Sequence, residues 1–316
     1  MFTGILAGLT WAAETVAVGI ALDILSSAST QQALFLAPLI ATFFHDAISA
    51  LLLFVYNAIR GGLKPLISLF KTPDFKWMLL ASTIGGPIGM TGYVMTVNYM
   101  GASVGAVASA IYPAIGTLLA FIFLKEKVQW YRWVFLLFTL LGVYGLSYSP
   151  VVAIEKFWLG LLGTFMCAFG WGTEAVILAK CLKNQNIKSS YALNIRQVVS
   201  ALIYGLVILP LLRGWRFIPT IFTNENLAFL PIIAVAAIFA SISYLFYYKT
   251  IASIGASKAM ALNITYTAWA IILTVLIFRD VSVINWLTIL CSVIVVVFGI
   301  LAASDISILF AKNKDT

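Results

Sequence analysis

The stretch GASVGAVASAIYPA, residues 101–114, aligns without a gap on GASKAMALNITYTA, residues 255–268. The alignment pairs Tyr112 with Tyr266, and in the same register Lys125-Glu126 falls on Arg279-Asp280. Working outward, SALLL (Ser49–Leu53) falls on SALIY (Ser200–Tyr204). GLTWAAETV (Gly8–Val16) and AFGWGTEAV (Ala168–Val176) open the two halves with the same Trp-x-x-Glu. The chain therefore reads as an internal repeat, residues 1–150 followed by residues 151–316.

Each half is overwhelmingly apolar. Hydrophobic residues make up 62% of the chain and charged residues 9%, with a mean hydropathy of +1.05. No soluble core uses that much apolar surface, so the composition implies a polytopic membrane protein embedded in lipid. Apolar runs of about 20 residues predict spans. They fall at 2–22, 31–59, 76–98, 102–124, 130–149, 157–180, 190–212, 227–251, 256–278 and 284–310. Five spans per half is an odd number, so the halves must insert in opposite orientations. The expected fold is all-α: ten transmembrane helices as two inverted five-helix repeats, with a substrate site near the midplane between them.

Charge gives the orientation. Of the 19 Lys and Arg residues, fourteen fall in loops on one side and four on the other, with Arg196 inside a span. Cytoplasmic loops carry the cations, so both termini are expected in the cytoplasm. This explains the isoelectric point near 9.4 without a nucleic-acid partner. The first apolar run has neither a basic leader nor a small-residue cleavage site and reads as a retained span. Three cysteines (Cys167, Cys181, Cys291) lack CxxC spacing and the chain has one histidine, so neither a metal site nor a cofactor is signalled. GASVG (Gly101–Gly105) matches the G-x-S-x-G pattern of a nucleophile elbow only in letters, because it joins two membrane helices instead of following a strand. An enzyme is not expected. Nor is a channel, which would need rings of carbonyls or charges.

The candidate site starts from the two Trp-x-x-Glu runs. Trp11 lies about ten residues into its span, ~15 Å at 1.5 Å per residue, which is half of a ~30 Å hydrocarbon core. Residues i and i+3 share a helix face, so Trp11 with Glu14, and Trp171 with Glu174, present a ring and a carboxylate together. An acid at that depth costs about 3 kcal/mol on insertion scales and usually faces a cavity. A ring beside an acid suits an organic cation, while a structural hydrogen bond between helices is the alternative. Tyr112 and Tyr266, paired by the repeat, and Trp269, three residues after Tyr266, are the further rings expected at the pocket. His45-Asp46, mid-span in FFHDAISALLL, reads either as a proton relay or as interhelical hydrogen bonding. Arg196 is close to a span end, where snorkelling or a structural ion pair is expected.

These features together resemble the drug/metabolite transporter superfamily of the EamA type, with its five-plus-five inverted repeat. The passage YMGASVGAVASAIYPAIGTLLAFIFLKEKV is its most recognisable stretch here. HDAISALLL, GGPIGM, AFGWGTEAV, IRQVVSALIY, SYLFYY and LNITYTAW resemble, more narrowly, bacterial LicB-type choline importers. The resemblance implies secondary import of choline or a related quaternary amine across the bacterial plasma membrane. It also implies an aromatic-and-anion cage of Trp11, Trp171, Glu174, Tyr244, Tyr247, Tyr266 and Trp269. Glu14 departs from that family's expected pattern, and a second acid would suit a dicationic or larger substrate. An exporter of amines, amino acids or drugs is the alternative within the superfamily.

Overall fold

The structure, a computed structural model, describes residues 1–26, 31–100, 102–148, 156–184, 186–223, 226–279, 281 and 284–306. Asp280, Lys312 and Lys314, which bear on the repeat and on the charge distribution, lie outside the described residues. Among the described residues the fold is all-helical. The membrane-length segments are α1 (Phe2–Leu25), α2 (Phe35–Ile59), α3 (Pro73–Met100), α4 (Gly105–Phe123), α5 (Trp130–Leu146), α6 (Phe157–Cys181), α7 (Ser189–Leu211), α8 (Phe229–Ile254), α9 (Ala256–Phe278) and α10 (Trp286–Ala303). Nine are long and apolar enough to cross a membrane, and α5 is a shorter apolar helix of 17 residues. At 1.5 Å per residue α5 is ~25 Å long, at the lower end of spanning length. Apolar runs without hydrating water must pair every backbone amide internally, and a helix does this within one segment.

Helix α1 packs along α8, and α6 packs along α3; α1 also touches α9, and α6 touches α4. Helix α2 lies against α7, and α5 against α10. Each of these four relationships is kept when every helix is exchanged for the one five places along. Two residues that the repeat aligns, Lys125 after α4 and Arg279 after α9, both take the left-handed conformation, with φ of 54°. The α3–α6 seam is close because small residues face each other: a methyl group on Gly163 would stand 2.6 Å from the Gly92 carbonyl oxygen.

Three helices depart from regular geometry near the middle of the bundle. Helix α3 contains a π-helical turn over Ile84–Gly89 around Pro87, which has no N–H to donate. Helix α7 contains another over Tyr204–Ile208. Helix α9 breaks between Asn263 and Tyr266. There the hydroxyl of Thr265 donates to Leu262 O (2.7 Å) and that of Thr267 donates to Ile264 O (3.1 Å), back-bonds that bend helices.

One end of the bundle is tied across by polar contacts. The Glu126 carboxylate accepts from the backbone N–H groups of Ala256 (2.8 Å) and Ser257 (3.2 Å), at the start of α9. Arg132 donates to Ser257 Oγ (3.1 Å) and to Ala302 O (2.6 Å). Asn57 donates to Ser190 O (3.3 Å), and Asn184 to Asp74 Oδ2 (2.9 Å). Away from this end, a cavity extends from the bundle centre along α1.

Candidate functional site

Two chambers meet at the centre, separated by rings. The larger, about 270 Å³, is lined by Trp11, Glu14, Val18, Gly19 and Leu22 of α1, His45 and Asp46 of α2, Gly86, Met90 and Tyr93 of α3, Trp171, Arg196, Tyr244 and Tyr266, among others. The smaller, about 30 Å³, is lined by Tyr112, Glu174, Tyr247 and Asn263, and shares Trp11, Trp171, Tyr244 and Tyr266 with the first. The larger lies just below the ~300–1,000 Å³ range of drug-sized sites, so it suits a compact ligand. The smaller has room for water only.

The rings are fixed by their neighbours. The Trp11 centroid is 4.8 Å from Tyr244 and 6.0 Å from Tyr266, both tilted. Trp171 stacks on Tyr93 at 5.9 Å and meets Tyr112 edge-on at 5.9 Å. Its indole N–H donates to the Gly85 carbonyl (2.9 Å), in the π-helical turn of α3. A methyl group on Gly85 or Gly89 would overlap the Glu174 or Trp171 side chain, so glycine at both positions lets α6 bring its ring and acid to the centre. Asn263, just before the α9 break, donates to the Tyr112 hydroxyl (3.0 Å), and the break leads directly into Tyr266.

The charged side chains form one continuous chain across the bundle centre. Glu14 Oε1 is 3.6 Å from His45 Nε2, and His45 Nδ1 is 2.9 Å from Asp46 Oδ1. Asp46 Oδ1 is 3.8 Å from Arg196 Nη1, and Arg196 Nε donates to Glu174 Oε1 at 3.1 Å. The Tyr248 hydroxyl donates to the same Glu174 oxygen (3.1 Å). Arg196 also donates to Gln197 Oε1 (2.7 Å), and its guanidinium lies 4.6 Å from the Tyr244 ring centroid. Gln197 in turn donates to Ser49 Oγ (2.9 Å), and Ser49 shares a 2.6 Å hydrogen bond with Ser241. With its three carboxylates ionised, this cluster of side chains would carry net negative charge against one guanidinium whether or not His45 holds a proton.

The residues singled out by sequence thus divide in three. Trp11, Glu14, His45, Asp46, Trp171, Tyr244 and Tyr266 line the larger chamber. Tyr112, Glu174 and Tyr247 line the smaller, Glu174 being occupied by Arg196 and Tyr248. Trp269 lines neither, and its indole N–H is buried with no hydrogen-bond partner among the described residues. Adjacent residues on a helix point about 100° apart, and yet His45 and Asp46 both reach the larger chamber and bond each other. Arg196 takes the ion-pair alternative and lies at the chamber wall, which its position near a span end did not suggest. Tyr93, on the wall, had only its aromatic character to mark it.

Residues 1–148 match the EamA-like transporter family. Protein LicB of Haemophilus influenzae is 29% identical over 212 residues, which cover 64% of this chain and 66% of that protein. A solved crystal structure superposes with a TM-score of 0.70 at 16% identity, covering 99% of this chain and 98% of the other, so the whole helical fold is shared. Over its first half the chain is thus similar to EamA-like transporters, and its membrane-length helices make it a polytopic membrane protein.

Proposed function

We propose that the chain imports choline or a related quaternary amine by alternating access between its two five-helix repeats, 1–150 and 151–316. Both termini are cytoplasmic in this reading, in a bacterial plasma membrane. The substrate's ammonium group sits in the larger chamber against Trp11, Tyr244 and Tyr266, with Glu14 as its counter-charge. The observation that carries this is the pairing of Glu14 with a box of rings around about 270 Å³. A quaternary ammonium has no N–H to donate, so ring faces and net negative charge are what can hold it. Glu174 serves differently from Glu14, holding Arg196, a cation of the protein itself, in place beside Tyr244.

The contacts between helices support a two-repeat exchange, since the pairing of α1 with α8 mirrors that of α6 with α3. The chamber extends toward the C-terminal end of α1, while the end carrying most of the cations is tied by Glu126. On the charge-based orientation, that arrangement faces outside, as import requires. A monovalent cation entering an inside-negative cell gains about 2.3 kcal/mol per 100 mV, roughly fifty-fold accumulation. His45 and Asp46 remain the candidates for any additional proton coupling.

Labelled choline uptake into proteoliposomes, with and without an imposed inside-negative potential, tests the reading. Potential-driven accumulation that Glu14→Gln abolishes is the expected result. Absence of saturable choline uptake, or uptake untouched by Glu14→Gln, overturns it.

A further inference from the structure

Between α2 and α3 the chain forms a short helix, Leu63–Ser68, continued by a 3-10 turn, Leu69–Lys71. Leu66 and Leu69 are buried against the protein, whereas Ile67 and Phe70 are 58% and 53% exposed. Such a segment, apolar on its outer face and basic at its ends, lies in the interface between headgroups and acyl chains. Trp77, 43% exposed in the first turns of α3, marks the same level, since tryptophan concentrates at that interface.

Here the chain leaves a groove of about 610 Å³, bounded by Phe70, Lys71, Phe75, Lys76, Trp77 and Leu80. Phe70 and Phe75 meet edge-to-face at 4.8 Å and shape its apolar wall. Lys71 and Lys76 are both exposed, and the ion pairs found among the described residues involve neither. The nearby carboxylate, Asp74, accepts from Asn184 instead. A third cation, Lys180 of α6, lies 4.6 Å from the Trp77 ring centroid. The groove therefore offers two ammonium groups outside those ion pairs at headgroup level, and an aromatic-aliphatic wall below them.

We propose that this groove binds an anionic phospholipid. Lys71 and Lys76 take the phosphate and headgroup charge, and the first acyl segments lie along Phe70, Trp77 and Leu80. The ligand must be both anionic and apolar, because the groove's lining is both. Basic pockets beside transmembrane helices recognise anionic headgroups on these grounds. The site is separate from the central chambers and does not depend on what the protein transports.

The test is lipid retention by the purified full chain, read by native mass spectrometry after exchange into detergent containing phosphatidylglycerol or phosphatidylethanolamine. Wild type is expected to retain phosphatidylglycerol in preference to phosphatidylethanolamine. Lys71→Gln/Lys76→Gln is expected to bind it about thirtyfold more weakly. Lys127→Gln/Lys183→Gln, which removes the same charge from lysines elsewhere, should retain it as wild type does. Equal retention of both lipids, unchanged binding in the groove variant, or equal loss in the control variant would each overturn the proposal. Displacement of the lipid by millimolar inorganic phosphate would also overturn it, by showing a free-anion site. Matching thermal unfolding of both variants and wild type shows that loss of lipid is not loss of fold.

Discussion

Arg196 Nε lies 3.1 Å from Glu174 Oε1, so the acid at the heart of the second Trp-x-x-Glu run already holds a cation. The repeat-related acid, Glu14, has no guanidinium at that distance; its contacts are Thr15 Oγ1 at 3.4 Å and His45 Nε2 at 3.6 Å. Two carboxylates in matching sequence positions thus stand in different electrostatic surroundings. Their substitution should separate binding from stability.

Glu14→Gln is expected to leave thermal unfolding near that of wild type while weakening choline binding by an order of magnitude or more. A unit charge a few ångström away, at an effective dielectric of about 20, is worth several kcal/mol. Glu174→Gln is expected to act on the fold, because breaking a buried ion pair leaves an uncompensated charge at a cost of about 3–5 kcal/mol. Glu174→Gln/Arg196→Gln should recover much of that loss. Thermal unfolding in detergent and isothermal choline titration together check the split; equal stability of Glu174→Gln and wild type would refute the pair's structural role.

Trp11→Leu or Trp171→Leu should each weaken quaternary amine binding by about 0.5–2 kcal/mol, the range of cation–π contributions. Phenylalanine at either position should cost less, since the ring face survives. The double Leu variant should be non-additive, because residues sharing one ligand couple. A neutral carbon isostere of choline should compete poorly with choline for wild type. Competition as effective as choline's own would show that shape, not charge, is recognised.

For His45, the relevant comparison is between two driving forces. Its ring faces Glu14 of α1 and its neighbour Asp46, which in turn meets Arg196 of α7, so a proton gained or lost there is felt along the whole charged chain. If it carries coupling, His45→Gln abolishes the response of uptake to an imposed pH gradient and leaves the response to membrane potential. An unchanged pH-gradient response assigns coupling elsewhere.

Single cysteines replacing Lys64 and Lys183 are expected to react with impermeant thiol reagents only from the cytoplasmic side. Cysteine replacing Arg216 should react from outside. The opposite pattern would reverse the orientation derived from the Lys and Arg distribution.

Much of this architecture is legible in the chain because its cues are local and periodic. Apolar runs mark the spans, and the GAS stretches at Gly101 and Gly255 suggest a duplication. The i, i+3 spacing puts Trp11 with Glu14, and Trp171 with Glu174, around the same centre. What was not legible depends on the third dimension. Arg196 stands near a span end in sequence, and only the packing of helices brings its guanidinium beside Asp46, Glu174 and Tyr244. The α9 break has neither glycine nor proline to announce it; threonine back-bonds accompany it. Beyond the break Tyr266 reaches the chamber, whereas Trp269, one helical turn later, does not.

The Glu126 tie at the start of α9 bears on how the carrier spends its time between cargoes. One carboxylate accepts two backbone N–H groups and the hydroxyl of Ser257, while Arg132 grips the same hydroxyl. These bonds belong to one small knot, so a path opening at that end must release them together, and hydrogen bonds to charged groups are worth about 1.5–3 kcal/mol each. In a protein that alternates access as proposed, such a knot weights the resting population toward a chamber turned to the other compartment. Loosening of that knot is then a step that every delivery through that end has to include.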